Sequence, residues 1–420
     1  MTFSITKKAA LPLCFAAAGL LFDSRADAAG FQLTDFSMTG LGRSYAGAGV
    51  VGDDYSAIGF NPAGMTLKGT GAQAGAAVIW QHGEVKGSAD KAGSRASGKE
   101  RVSIPVAVPN LFAQYKINDD FRFGLGVYAP FGLATEYPKH WFGSDLAVDS
   151  ELEVIDVAPS LAYRLNDNWS FGASLIARWG RVKMTNTSYG AGFSDFDIDG
   201  WGYYGRFGVM YEVDENTRFG LSYQTKSTEV EHTLKGDHVL ENITYLAGNH
   251  VGGTVTRLPE HWLLSGYHRR GDFGYSASIR RTQWQNFNEF TLTSSSPLGY
   301  HTSYYKWENT WTVALGVDWY YNDSWTWRAG VSYDESPVPG SAYRTVRIPD
   351  NDRYWISAGF TYKINENVKM DVGYAHLYLP TYKARNGASK SAATGYKTQF
   401  VDAKYDVNAE ILGIQFQYDF

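Results

Sequence analysis

Six short polar turns recur along the chain, and the segments between them restrict the fold more than any single motif. They are Asn118-Asp119-Asp120, Asn166-Asp167-Asn168, Asp214-Glu215-Asn216, Arg269-Arg270-Gly271-Asp272, Asn322-Asp323-Ser324 and Asn365-Glu366-Asn367. Asn, Asp and Gly tolerate the left-handed dihedrals that tight hairpin turns need. The flanking segments alternate with period two. Phe219, Leu221 and Tyr223 interleave with Arg218, Gly220, Ser222 and Gln224, and Phe273, Tyr275, Ala277 and Ile279 interleave with Gly274, Ser276, Ser278 and Arg280. Tyr354, Ile356, Ala358, Phe360 and Tyr362 share one face, opposite Ser357, Gly359 and Thr361. Successive strand side chains point to opposite faces, so each segment has one apolar side and one small or polar side. Soluble sandwiches share this alternation; the connections discriminate. Between consecutive turns lie two strand-like segments and one long polar connection. Each turn joins a strand pair, which makes twelve strands; one before the first turn (about 71–81) and one after the last (about 406–420) make fourteen. Short turns at one end, long loops at the other and an even strand count are the arrangement of an outer-membrane barrel. The expected fold is all-β: a 14-stranded antiparallel transmembrane β-barrel over residues 71–420.

The two ends of the chain agree. Lys7 and Lys8 precede an apolar run from Ala9 to Phe22, and Ala26-Asp27-Ala28 fits a small-residue cleavage pattern, so residues 1–28 read as an export signal. That run is too short for a membrane helix of about 20 residues, and no later stretch supplies one. The single cysteine, Cys14, lies in the signal, which leaves a mature chain without thiol or disulfide. Aromatics make up 15% of the residues, with 29 Tyr and 13 Trp, as the girdles of a membrane barrel require. The net charge of −5 gives no reason to expect a nucleic-acid partner. At the C-terminus Leu412, Ile414, Phe416, Tyr418 and Phe420 alternate with Gly413, Gln415, Gln417 and Asp419. A last strand of this kind closes the sheet edge, because unpaired backbone in lipid is costly. Its terminal Phe also fits the signal read by the outer-membrane barrel assembly machinery.

Residues 29–70 lack alternation yet carry Phe31, Leu33, Phe36, Met38, Leu41, Tyr45, Val50, Val51, Tyr55, Ile58, Phe60 and Met65. A fourteen-stranded barrel is too wide for its own side chains to fill, so this segment is expected inside it as a hatch, or plug. Gly47-Ala48-Gly49-Val50-Val51-Gly52 matches the dinucleotide pattern G-x-G-x-x-G, but neither a preceding strand nor a βαβ unit surrounds it. Close packing within a barrel explains these small residues better. Asn61-Pro62 ends any helix there, since the residue before Pro avoids the helical region.

Several stretches carry a resemblance: "AGFQLTDFSMTGLGRSYAGAG" (29–49), "NPAGM" (61–65), "FGLATEY" (131–137), "YRLNDNWSFG" (163–172), "LPEHWLLSGY" (258–267) and the region from "YYNDSWTWRAGVSYDESPVP" to "IPDNDRYWISAGFTY" (320–362). In this order, across nearly the whole mature chain, they resemble the FadL-type long-chain fatty acid transporters, a family that also holds TodX-type aromatic-hydrocarbon carriers. The resemblance implies passive, outer-membrane uptake of a hydrophobic ligand, most of all a long-chain fatty acid, with a neutral aromatic hydrocarbon as the alternative. It implies capture in an extracellular apolar groove, a pocket within the barrel, and sideways exit at a kink in the third strand. The gate would be the N-terminus, here Ala29, Gly30 and Phe31, and the hatch motif Asn61, Pro62 and Ala63. The kink would fall at Pro130, Phe131 and Gly132, where Pro removes a ladder donor and Gly weakens the strand. Fatty-acid members place basic side chains near the carboxylate; Asn186 stands where one such Arg is expected, and Arg181, Lys183 and Lys306 are the nearby substitutes. By strand parity Arg181 and Lys183 share the outward side of Trp169, which would direct them to lipopolysaccharide phosphates instead.

Two other functional classes compete with transport. His232, His238 and His250 share a long connection with Glu229, Glu231 and Asp237, but their spacing matches no ligand motif, so neither a metal nor an enzyme is expected. A general porin would not need an apolar-rich plug. No cofactor is expected, and the partners implied are the ligand, outer-membrane lipid and lipopolysaccharide, and the assembly machinery, around a monomeric barrel.

Overall fold

The computed structural model describes residues 30–91, 94–188, 192–226, 232–241, 247–391 and 395–420. Residues 1–28, expected from sequence to be an export signal, and Ala29 lie outside the described residues. The first seven strands are Gly71–Lys91 (β1), Ser94–Lys116 (β2), Phe121–Glu136 (β3), Asp149–Arg164 (β4), Trp169–Ser188 (β5), Gly192–Glu212 (β6) and Thr217–Gln224 (β7). His232–Glu241 (β8) and Gly248–Thr256 (β9) precede His261–Arg270 (β10) and Phe273–Thr282 (β11). Glu289–Ser294 (β12) and Tyr300–Tyr304 (β13) lead to Thr310–Tyr320 (β14), Trp325–Asp334 (β15), Arg353–Lys363 (β16) and Val368–Tyr378 (β17). Tyr382–Ser391 (β18) and Gly395–Asp419 (β19) complete the order.

Fourteen of these strands, β1–β7, β10, β11, β14–β17 and β19, form a closed antiparallel barrel. Closure runs from Gly71↔Asp419 to Ala89↔Val401, so β19 and β1 leave no edge between them. Five of the six short turns share one device. Asn118 Oδ1 accepts from the backbone N–H groups of Asp120 and Phe121 at 2.9 and 2.8 Å, and Asn166, Asp214, Asn322 and Asn365 repeat the pattern. Such a side chain stands in for one backbone unit of the turn.

The faces follow the sequence alternation. Phe123, Leu175, Phe207, Leu315, Ile356 and Leu412 are exposed on the outer wall, where lipid replaces water as their solvent. Among the described residues no helix is long and apolar enough to cross a membrane. The long connections, in contrast, are not loops throughout. The upper part of β6 pairs with β8, and the sheet continues through β9, β12, β13 and β18 to the upper part of β19. This rim is built of short strands: on β12 the alternation of buried Phe290 and Leu292 with Thr lasts six residues, too few to separate a strand from a loop by sequence. The first and last strands likewise run further, to Lys91 and from Gly395, than the apolar alternation alone indicates.

The hatch lies within the barrel. It contains two single-turn helices, Met38–Leu41 (α1) and Ala57–Phe60 (α2), and a 3₁₀ helix, Pro62–Leu67. Met38, Leu41, Val50, Ile58 and Ala63 are wholly inaccessible. Gly47, Gly49 and Gly52 have φ of 69°, 77° and 74°, a region open to Gly at no steric cost. The phosphate-loop pattern is therefore a series of left-handed turns packed against the wall. Asn61 caps the 3₁₀ helix, with Oδ1 accepting from Ala63 N at 3.1 Å while Nδ2 donates to Val209 O at 3.1 Å. It fits because the facing wall carries glycines: a Cβ at Gly172 would overlap Pro62 and Ala63, and one at Gly208 would overlap Asn61 Oδ1. Charge also anchors the hatch. Arg43 holds Asp53 at 2.7 Å and Asp318 at 3.1 Å, and Arg328 completes the set at 3.0 Å from each carboxylate.

Candidate functional site

The barrel wall is incomplete at one place. β2 and β3 pair from Lys116↔Arg122 only as far as Asn110↔Tyr128. Above that point β2 follows β1 to Ser94, and β3 follows β4 to Glu136, with no pairing between β2 and β3 among the described residues. The β3–β4 register shifts between Tyr128 and Phe131, and Pro130 in that stretch has no N–H to offer. The freed edge of β3 is taken from inside by the N-terminal segment. Leu33 N donates to Pro130 O at 2.8 Å, Gly132 N donates to Phe31 O at 2.9 Å, and Gln32 bridges Phe131. Residues 31–33 thus occupy, for three residues, the place on β3 that β2 has left.

Aromatic packing fixes that segment. Phe31 meets Trp284 at 4.9 Å, Phe287 at 5.1 Å, Trp307 at 5.5 Å and Phe131 at 6.0 Å between ring centroids. Gly30, at φ 63°, enters between Trp284 and Trp307, and its N–H donates to Asp350 Oδ2 at 3.1 Å. A Cβ there would fall 2.8 Å from the Trp284 ring, so only Gly fits. The rings belong to a buried apolar cluster that also holds Leu133, Val154, Val182, Met184, Leu292 and Ile348. Below it, Phe131 covers a fully buried ion pair. Arg178 Nε lies 2.5 Å from Asp156 Oδ1, Nη2 lies 2.7 Å from Oδ2, and the guanidinium sits 4.9 Å from the Phe131 ring and 4.1 Å from that of Tyr204. Two cavities border the N-terminal segment, one of about 40 Å³ beside Gln32, Asp35 and Arg280 and one of about 10 Å³ beside Gly30, Ile348 and Arg353. Each has room for no more than a few waters.

Cations around the cluster differ in their engagement. Arg181 lies on the outer wall and forms a two-pronged pair with Asp197, at 2.7 and 2.6 Å. Lys183 faces the same way, opposite Glu151 on β4 and Asp197 on β6. Lys306 is exposed at the rim, its ammonium 5.0 Å from the Tyr343 ring. Arg347, in the connection between β15 and β16, reaches inward to the upper ends of β4 and β5. Its Nη1 donates to Asp149 O, Ser150 Oγ and Thr185 O at 3.2, 3.0 and 3.2 Å, and Nη2 donates to Asn186 Oδ1 at 3.1 Å. All four acceptors are neutral, and among the described residues no carboxylate is within ion-pair distance. Burial pushes this guanidinium down to about 10, which keeps it cationic at neutral pH. Ser150 and Asn186 share the inward face with Leu152, Val182 and Met184, so Arg347 caps the apolar cluster.

Similarity to known proteins decides the family. The model of the outer membrane protein transport protein family (OMPP1/FadL/TodX) matches residues 19–420. The chain belongs to that family. It is an outer-membrane transport protein, not an enzyme. A long-chain fatty acid transport protein of Escherichia coli O6:H1 is 32% identical, over 90% of this chain and 93% of its own length. The solved structure of a Pseudomonas aeruginosa FadL homologue has a TM-score of 0.80 at 24% identity, covering 93% of this chain and all of that one. The Ralstonia pickettii toluene transporter TbuX has a TM-score of 0.69 at 19% identity, covering 92% and 99%.

For this FadL/TodX-family chain, the two groups read from sequence as gate and kink are in contact. Phe31 packs on Phe131, Gly30 enters between Trp284 and Trp307, and the backbone of Pro130 and Gly132 binds residues 31–33; Ala29 is outside the described residues. Asn61, Pro62 and Ala63 lie apart from these, against β5, β6 and β7. Arg181, Lys183 and Lys306 are not gathered at the apolar cluster, whereas Arg347, which sequence reading did not single out, is. Asp156 and Arg178 were also passed over, although opposite charges amid the apolar residues of "VIDVAPS" and "LIARWG" are a legible signal of a buried pair. The histidine connection forms the β8–β9 hairpin, where His238 stacks on Phe196 at 3.7 Å with Ser194 and Ser294 on its two nitrogens at 3.1 and 2.6 Å. His232 and Asp237 lie on the same strand, and Glu229 and Glu231 are outside the described residues; no metal-binding group occurs among the described ones.

Proposed function

We propose that this protein carries hydrophobic compounds, foremost long-chain fatty acids, inward through the outer membrane without an energy source. The acyl chain enters the aromatic cluster beneath the rim with its carboxylate at Arg347. It displaces the Phe31–Leu33 segment, passes Phe131 and leaves sideways into the bilayer between β2 and β3. The observation that carries this reading is the substitution of residues 31–33 for β2 on the free edge of β3, which couples occupancy of the cluster to opening of the wall. The close ring packing around Phe31 supports it, because an acyl chain must move that ring to enter the cluster. Energetics favour a lateral route: each methylene gains about 0.8 kcal/mol on leaving water. A path down a watery lumen would be uphill by many kcal/mol, whereas a step from cluster to bilayer keeps the chain dry.

A second reading, uptake of neutral aromatic hydrocarbons by the same route, is favoured by the neutral Asn186 and by the four rings around Phe31. Uptake of radiolabelled oleate and of toluene by cells with and without the protein separates the readings, and unchanged uptake of both would sink the transport claim for these ligands. Arg347→Gln is the residue-level test. A hydrogen bond to a charged group contributes about 1.5–3 kcal/mol, so oleate uptake should fall roughly tenfold or more while toluene uptake holds. Equal losses for both would point to misfolding of the 335–352 connection; no loss for oleate would remove Arg347 from the route.

A further inference from the structure

The outer wall above the membrane carries a row of lysines for which neither the fold nor transport has a use. Lys86 on β1 stands directly opposite Lys99 on β2 and Lys404 on β19, and Lys404 stands opposite Lys383 on β18. Four adjacent strands therefore present Lys99, Lys86, Lys404 and Lys383 side by side, all exposed on the outward face. Directly opposed residues have Cβ atoms about 4.5–5.5 Å apart, and like charges so placed destabilise a sheet. Lys99 is drawn to Glu84 at 2.6 Å, while Lys86, Lys404 and Lys383 have no ion pair among the described residues. Arg101 and Arg385 flank the row; the acids within two positions of it on this face are Glu84, already taken, Asp406 beside it, and Asp402, which Arg385 holds at 3.2 Å. Six cations thus face three carboxylates, on a chain whose net charge is −5.

Height above the membrane identifies what meets the row. On β1 the outward apolar residues end at Val78 and Trp80, and on β19 they end at Leu412. Lys86 lies six positions beyond Trp80, which is about 20 Å along the strand and roughly 15 Å above the girdle at ordinary barrel tilt. Acyl chains do not reach that level; the sugar-linked phosphates of the outer leaflet do.

We propose that this row is a docking site for the phosphates of the outer-leaflet glycolipid, lipopolysaccharide. Several phosphates along one molecule match several ammonium groups along one line, and their binding converts a repulsive row into a neutral one. The site flanks the upper edge of β2, so the bound glycolipid lies beside the unpaired stretch of the wall.

The test uses the full-length protein in detergent with EDTA present, and measures binding of intact lipopolysaccharide and of the same preparation after phosphatase treatment. The combined Lys86→Gln, Lys383→Gln, Lys404→Gln variant should bind intact lipopolysaccharide at least about tenfold more weakly, at roughly a fivefold effect per surface lysine. Both proteins should bind the dephosphorylated preparation alike. Lys235→Gln, on β8 at the same end, should change nothing. The triple variant should melt no earlier than the parent, because it loses repulsion and no ion pair, which separates lost binding from lost folding. Equal affinity of parent and triple variant for intact lipopolysaccharide would overturn the proposal. So would full displacement by inorganic phosphate at equal molarity, which would assign the row to the free anion.

Discussion

Replacing Pro130 and Gly132 together by valine is expected to lower uptake of a long-chain ligand at least about tenfold in a barrel that still inserts. Pro130 lies where the β3–β4 register shifts, and Gly132 donates its N–H to Phe31 O. Valine at both positions restores a donor and favours the extended pleat, so β3 can continue along β2 beyond Asn110↔Tyr128. A ligand denied the gap must leave with part of its chain in water. At about 0.8 kcal/mol per methylene, two exposed methylenes already cost a factor of ten in rate. Insertion is checked by surface labelling and by the shift between folded and heat-denatured mobility in gels. Undiminished oleate uptake in a variant that passes both checks would reject the lateral route.

Arg43→Ala should have the largest effect on the hatch itself. Arg43 and Arg328 share Asp53 and Asp318, and Arg43, Arg328 and Asp318 are all but inaccessible. Removing one partner of a buried ionic set leaves the other charges uncompensated and costs about 3–5 kcal/mol. A few kcal/mol is a large fraction of the margin that holds a packed segment in place. The variant should show measurable conductance in planar bilayers and an earlier thermal transition. Arg43→Lys should fall between, because an ammonium keeps the charge but cannot make the two-pronged contact with Asp53 at 2.7 and 2.9 Å. Parent-like conductance and melting in Arg43→Ala would show that packing alone secures the hatch.

The membrane-spanning part of the fold was legible because lipid outside and hatch inside impose opposite demands on alternate residues. Phe219, Leu221 and Tyr223 face outward while Gly220 accommodates Val50 and Asn61, so one strand records both environments. The turns were legible because a single Asx device recurs. The rim was not, since β12 and β13 run only six and five residues, too short for the alternation of Phe290 and Leu292 with Thr to mark a strand. Within the site, parity alone turned Arg181 and Lys183 outward. The meeting of Arg347 with Asn186 spans 161 positions and depends on how the connection after β15 folds back, which no local pattern encodes. The early end of β2–β3 pairing is half legible: Pro130 marks a break in β3, but nothing in the sequence says that residues 31–33 will cover it.

The hatch is the earliest described part of the chain, yet its partners are among the last. Tyr55 donates to Asp419 at 2.5 Å, Met38 N donates to Gln415 Oε1 at 3.0 Å, and Lys68 reaches Gln417 at 3.1 Å. These acceptors lie on β19, the strand whose pairing with β1 closes the ring. Contacts so distant in sequence form late, after the intervening chain is in place. The segment made first is therefore seated last, and its seating reports that the cylinder around it is complete.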